Sequence, residues 1–192
     1  MRVFCIEGCH GVGKSTLLAG LAKEYIVLDE MFTDMPAYEF LSSQSLPMEF
    51  IWVANWFNRL LRIYERKGDA VVFADRSPYS AVYYSKASPE TQERLRQLIR
   101  GMIHELAAKG IVIKTVCLKV KKDLLWKRIQ ARLEREPERA RYNEGSYAWM
   151  EQTWNFFAAF PWDYVVENNE ELRGNPQVYL WRKLTDVGIA IK

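Results

Sequence analysis

A chain of 192 residues, 49% hydrophobic and 14% aromatic, has the length of one ordinary domain and enough buriable side chain to fold without disulfides or a structural metal. Lys and Arg number 27 against 24 Asp and Glu, and the resulting net charge of +3 excludes a broad basic nucleic-acid surface unless the cations cluster. Three cysteines, Cys5, Cys9 and Cys117, contain no Cys-x-x-Cys pair, which excludes a zinc ribbon and suits a reducing compartment.

No apolar run approaches the roughly 18 residues that cross a bilayer. The first strand runs straight into a glycine motif, so no leader is expected. The expected location is the cytoplasm, a host's cytoplasm if the source is viral, with no membrane partner.

In chain order, apolar runs of strand length fall at Val3 to Ile6, Tyr25 to Leu28, Ala70 to Ala74, Ile111 to Leu118 and Tyr164 to Val166. They are separated by helix-compatible sequence. Continuous Val- and Ile-rich runs without alternation predict parallel strands buried on both faces, joined by right-handed helical crossovers. Ligands of such sheets collect at the carboxyl ends of the strands.

Directly after the first run stands Gly8-Cys9-His10-Gly11-Val12-Gly13-Lys14-Ser15-Thr16, a complete G-x-x-x-x-G-K-S pattern between a strand and a helix. Its glycines let successive N–H groups curl around an anion, and the helix that follows points its positive end there. Lys14 adds charge, and the Ser15 hydroxyl can ligate magnesium. The second run ends in the acidic pair Asp29-Glu30.

From Pro47 to Arg66, Phe50, Trp52, Val53, Trp56, Phe57, Leu60 and Ile63 recur at helical spacing. They predict a buried core helix, with a helix flanking a planar ligand as the alternative. The third strand ends at Asp75, where phosphate-binding-loop proteins place the carboxylate that holds magnesium. The two motifs together imply ATP or GTP with Mg2+ as cofactors.

The cations cluster in Lys127-Arg128-Ile129-Gln130-Ala131-Arg132-Leu133-Glu134-Arg135-Glu136-Pro137-Glu138-Arg139. On a helix Arg128, Arg132 and Arg135 would share one face, a repulsive arrangement that suits an anion, or else a solvated face with local Glu partners. Pro137 should break the helix beyond them.

Three stretches resemble the deoxynucleoside kinase family, related in fold to thymidylate kinases. They are Ile6-Glu7-Gly8 leading into the glycine loop, Asp75-Arg76-Ser77-Pro78-Tyr79-Ser80, and Arg128-Ile129-x-x-Arg132-x-x-Arg135-Glu136. The resemblance extends from Val3 to about Asn169. It implies an α/β P-loop NTPase fold, a three-layer α/β/α sandwich with a five-stranded parallel sheet and an arginine-rich helical lid at about 126–142, all in one domain over residues 1–192. It also implies transfer of the ATP γ-phosphoryl group to a nucleoside 5′-hydroxyl, and a homodimer through the long helices.

The resemblance implies roles as well. Glu30 is the general base, with Asp29 its neighbour and competitor, and Arg76 holds the base and the reacting oxygen. Lys14, Arg128 and Arg132 stabilise the transferring phosphoryl group, and Asn169 borders the adenine. Phe32, Trp52, Asn55, Arg59 and Ala81 face the acceptor, and Glu136 meets the sugar 3′-hydroxyl.

Where thymidylate kinases carry Arg-Glu-Pro-Gly, this chain has Asp29-Glu30-Met31-Phe32, so a neutral nucleoside is favoured over a monophosphate. Ala81 leans toward a pyrimidine. Trp52 stands where the family usually has a base-pairing glutamine, leaving Asn55, Asn58 or Glu49 to supply hydrogen bonds. The competing readings are a thymidylate or other nucleoside monophosphate kinase, a kinase or NTPase acting on nucleic acid, and a non-catalytic nucleotide-binding module.

Overall fold

The computed structural model describes residues 1–30, 35–169, 182–186, 188 and 189. Its elements are β1 (Arg2–Glu7), α1 (Lys14–Leu21), β2 (Ile26–Leu28), α2 (Leu46–Lys67), β3 (Val71–Asp75), α3 (Ser80–Tyr84), α4 (Pro89–Ala108), β4 (Val112–Lys119), α5 (Lys122–Leu133), a 3-10 helix (Pro137–Tyr142), α6 (Tyr147–Ala159) and β5 (Tyr164–Glu167). The strands form one sheet in the order β2-β3-β1-β4-β5. β2 runs parallel to β3 with Val27 opposite Phe73, and β4 parallel to β5 with Cys117 opposite Val165. The α/β architecture and the five-stranded parallel sheet are those expected. No helix among the described residues is long and apolar enough to cross a membrane.

Contacts divide the chain into two compact units, Met1–Cys5 with Tyr25–Lys114, and Ile6–Glu24 with Thr115–Lys192. In the first, α2 carries the largest side chains of the core. Pro47 fits its first turn, where no N–H partner is needed, and Arg66 and Lys67 sit in its last turn against the negative end of the helix. Gly68, at φ 60, stops it by adopting a backbone conformation unfavourable to L side chains. Trp52, Val53, Trp56, Phe57 and Leu60 are buried with Val3, Cys5, Leu28, Val72 and Ala74, each such side chain worth roughly 1.5–3 kcal/mol. α4 is capped by Ser88, whose hydroxyl accepts the Thr91 N–H, and it buries Leu95 and Ile99.

The second unit buries Leu17, Leu21, Leu118, Leu125, Ile129 and Met150 almost completely. Asp163 sets how β5 enters. Its Oδ2 accepts the Thr115 N–H at 2.8 Å and the Thr115 hydroxyl at 2.9 Å, while its own N–H donates to Thr115 Oγ1 at 3.0 Å. Three bonds between two residues fix the register by satisfying polar groups that would otherwise be left wanting in the interior.

Candidate active site

In the second unit, the loop after β1 is shaped by glycines that no other residue could replace without strain. Gly8 has φ 132, and a Cβ built on it would lie 2.5 Å from the Leu118 carbonyl oxygen. Gly11 has φ 80, with a Cβ position 3.0 Å from Ile129 Cγ1. Gly13, at φ 102, is the residue from which α1 departs. Cys9 and Val12 are buried, His10 is half-buried, and Ser15 and Thr16 are exposed in the first turn of the helix.

Lys14 folds back over this loop, its Nζ donating to the Gly8 carbonyl at 2.9 Å and the Cys9 carbonyl at 3.0 Å. The loop is thereby curled with a cation over it and a helix start beside it, the arrangement that binds phosphate oxygens. A cradle that a single Cβ would fill, together with an exposed Ser15 hydroxyl, fits a nucleotide phosphate chain and its magnesium.

The loop has a support that the sequence did not reveal. Asn168, 1% exposed, donates its Nδ2 to the Val12 carbonyl at 2.9 Å, and its N–H donates to the Lys119 carbonyl at 2.8 Å. The end of β5 is tied in this way to the phosphate-binding loop. Asn169 turns elsewhere, accepting the Lys121 N–H at 2.7 Å and donating to the Glu167 carboxylate at 2.9 Å. Burial, followed by Glu7 and Cys9, pushes the Cys117 thiol far above its ordinary range, which keeps it a protonated core group.

In the first unit, the acidic pair after β2 is gripped by two arginines. Arg76 Nε donates to Glu30 Oε1 at 2.7 Å, its side chain only 9% exposed against 38% for Glu30. Arg76 holds φ 70, a strained backbone for a side chain of this size. It follows Asp75, half-buried at the end of β3, and its guanidinium lies 5.3 Å from the Tyr84 ring centroid. Arg59 binds Asp29 through both a carboxylate oxygen and, at 3.0 Å, the Asp29 carbonyl.

One face of α2 organises this cluster. Glu49, Trp52, Trp56 and Arg59 follow at helical steps of three, four and three, so their side chains project from the same side. Trp52 Nε1 donates to the Glu30 carbonyl at 2.9 Å, and Trp56 Nε1 to the Arg76 carbonyl at 3.2 Å. Glu49 is 4% exposed. Its carboxyl is pushed up to about 8 by burial first and by the charge of Glu30 second, with Arg76 pulling the other way.

These placements revise the reading of the acceptor residues. Trp52 is a buried support of Glu30, 5% exposed, and its single donor is already used, so little ring is left for stacking on a base. Ala81 is fully buried in the core. Asn55 is half-buried on α2. Phe32 lies outside the described residues.

The arginine segment differs from expectation more sharply. α5 ends at Leu133, four residues before Pro137, so Arg128 and Arg132 share a helical face while Arg135 falls in the turn beyond it. Arg135 is exposed and its Nε donates to the Ala131 carbonyl at 3.1 Å. Ending the helix takes Arg135 off the face that Arg128 and Arg132 share.

Glu136 accepts from Arg132 at 3.3 Å and also from Arg139. The Arg139 hydrogen bond foremost, with Arg132 adding to it, holds the Glu136 carboxyl below its usual range. Glu144, 8% exposed, accepts from Arg139 at 3.0 Å and stands 3.9 Å from Arg132. Glu136 is thus a clasp between two arginines in this structure. Arg128 is half-buried on the same helix.

A strand, a curled glycine loop with its lysine and a helix, set in a five-stranded parallel sheet, define a P-loop α/β protein. The chain belongs to the AAA domain family, whose model matches residues 3–158. Among solved structures it is similar to the tunicamycin resistance protein of Deinococcus radiodurans, with TM-score 0.58 and 16% identity over 98% of this chain and 96% of that one. It is similar to polyphosphate kinase 2 of Arthrobacter aurescens TC1, with TM-score 0.55 and 18% identity over 98% and 69%. Shikimate kinase of Bacteroides thetaiotaomicron gives TM-score 0.52 and 17% identity over 97% and 98%. No curated protein matches the chain by sequence.

Proposed function

We propose that this protein is an ATP-dependent phosphotransferase that transfers the γ-phosphoryl group of ATP to the 5′-hydroxyl of a pyrimidine deoxynucleoside. The observation that carries the reading is the Glu30 carboxylate held at 2.7 Å by a buried Arg76 in a chain with a complete phosphate-binding loop. Two of the three similar structures are kinases by name, which supports phosphoryl transfer as the use of the fold.

In this reading the loop from Gly8 to Thr16 and Lys14 bind the donor phosphates, and Ser15 and Asp75 would hold the magnesium ion. When bound, that ion neutralises phosphate charge. Glu30 accepts the hydroxyl proton of the acceptor as its oxygen bonds to the γ-phosphorus and the bond to the bridging oxygen of ADP breaks, a role worth ~10²–10⁴-fold. Arg76 orients Glu30. Arg128 and Arg132 offset charge spreading over the transferring group, Asn169 borders the adenine, and Asn55 and Arg59 line the acceptor side with Glu136 near the sugar.

A neutral acceptor is preferred to a nucleoside monophosphate because Arg59 is engaged by Asp29 and Arg76 by Glu30. The test is ADP production from Mg·ATP with a panel of deoxynucleosides, their monophosphates and single-stranded DNA. Acceleration by pyrimidine deoxynucleosides is the expected result. Acceleration by monophosphates alone replaces the acceptor, and acceleration by none of the three removes the kinase assignment.

A further inference from the structure

Three carboxylates and two arginines meet in the first unit, and their pairing leaves one carboxyl over. Asp29 is taken by Arg59 and Glu30 by Arg76. Glu49 is the third, 4% exposed, and its Oε1 is buried without a hydrogen-bond partner among the described residues. An ionised carboxylate so placed would carry a desolvation cost that nearby hydrogen bonds do not offset, whereas a neutral acid leaves only an unsatisfied carbonyl-like oxygen. Two charged groups act on it from other elements, Glu30 beyond β2 and Arg76 after β3. The next charged residue along its own face of α2 is Arg59, already bound to Asp29.

We propose that Glu49 is a positioning residue for the acceptor step, entering it as an uncharged carboxylic acid that leaves Arg76 paired to Glu30. Ionised, Glu49 would compete for the same guanidinium and place a second negative charge beside the base, drawing Arg76 away from the orientation that holds Glu30. The acceptor side is then competent only while Glu49 keeps its proton. The inference rests on Glu30 acting as the base. The direction in which burial and Glu30 push the Glu49 carboxyl, up to about 8, agrees with it and places the change just above neutral pH.

The test has two readouts on the full chain. Carboxyl-carbon NMR titration of the protein alone should give Glu49 a midpoint near 8, moving down when Glu30→Gln removes the neighbouring charge. With Mg·ATP and a deoxynucleoside acceptor, kcat/KM should fall about tenfold per pH unit above that midpoint, and Glu49→Gln, neutral at every pH, should lose that fall.

A Glu49 midpoint in the ordinary carboxylate range overturns the inference whatever the activity, as does an alkaline fall that persists in Glu49→Gln. Failure of the functional reading is visible on a different variant. Near-normal turnover of Glu30→Gln removes the base and with it the step that Glu49 would position, even where Glu49 titrates near 8.

Discussion

Trp52 gives its indole N–H to the carbonyl oxygen of Glu30 at 2.9 Å, so the candidate base is held at its backbone by α2 and at its carboxylate by Arg76. Trp56 does the same for the Arg76 carbonyl one helical turn on. Both members of the Glu30–Arg76 pair are thus anchored to one helix face, through bonds that do not depend on the charge of either side chain.

From this follows a graded set of losses. Glu30→Gln keeps the shape and removes the proton acceptor, and is expected to lower turnover at least ~10²-fold. Arg76→Ala should abolish acceptor-dependent ADP production while nucleotide binding, followed by fluorescence of a labelled ATP analogue, persists. Trp52→Phe keeps most of the buried ring, loses one hydrogen bond and orphans a carbonyl, a cost of about 1–3 kcal/mol in urea denaturation. Turnover should fall less than in Glu30→Gln. Equal loss in all three variants would show that the face matters for folding alone.

The phosphate-binding loop makes a prediction through its backbone. In Gly8→Ala a Cβ would sit 2.5 Å from a backbone oxygen at φ 132, and the Leu118 carbonyl belongs to a central strand that cannot yield. Nucleotide binding should weaken by at least ~10-fold, with stability lost as well. Gly68→Ala is the control. Its φ is 60 with nothing within 4 Å, so only the backbone conformation is strained, at about 1–3 kcal/mol, and nucleotide binding should be retained. Equal binding by the two variants would remove the close approach at Gly8 as the reason for that glycine.

How much of this was legible in the sequence depends on what kind of signal each feature leaves. The five strands were, to within one residue, because buried parallel strands are short unbroken apolar runs. The glycine loop was, because its chemistry needs particular residues at fixed spacing. The role of α2 was not. The helix reads as core, with Trp52 also placed against the acceptor, yet nothing in a helical stripe of aromatics says that two indole N–H groups are donated to backbone carbonyls of distant residues. Arg135 was misplaced because a periodic pattern continues on paper past the point where the helix stops. Asn168 left no signal at all, since an asparagine after a strand is ordinarily a turn residue, and only the fold brings it to Val12.

That asparagine gives the third prediction. Asn168→Ala removes a buried bond of 2.9 Å to the Val12 carbonyl and leaves that oxygen without its donor, costing about 1–3 kcal/mol. Because Val12 sits inside the phosphate-binding loop, KM for ATP should rise several-fold with a smaller change in KM for the acceptor. Asn168→Asp should be worse than Ala near neutral pH, since it puts a carboxylate oxygen against a carbonyl oxygen. Steady-state kinetics with each substrate varied in turn checks this. An equal rise in both KM values would assign Asn168 to general stability.

Glu49 makes the last prediction, in stability alone and without any substrate. Its carboxyl is raised from an ordinary 4.5 to about 8 in the folded protein, so between those values the folded chain holds a proton that the unfolded chain has released. Stability therefore declines as pH rises through this window, is unaffected by the group below it, and levels off above the folded value. The contribution is on the order of a few kcal/mol. Glu49→Gln has no proton to lose, so its stability relative to the wild type should improve steadily from pH 5 to pH 8 in urea denaturation. A difference between the two proteins that stays constant across that range would show that the folded chain holds no extra proton at Glu49.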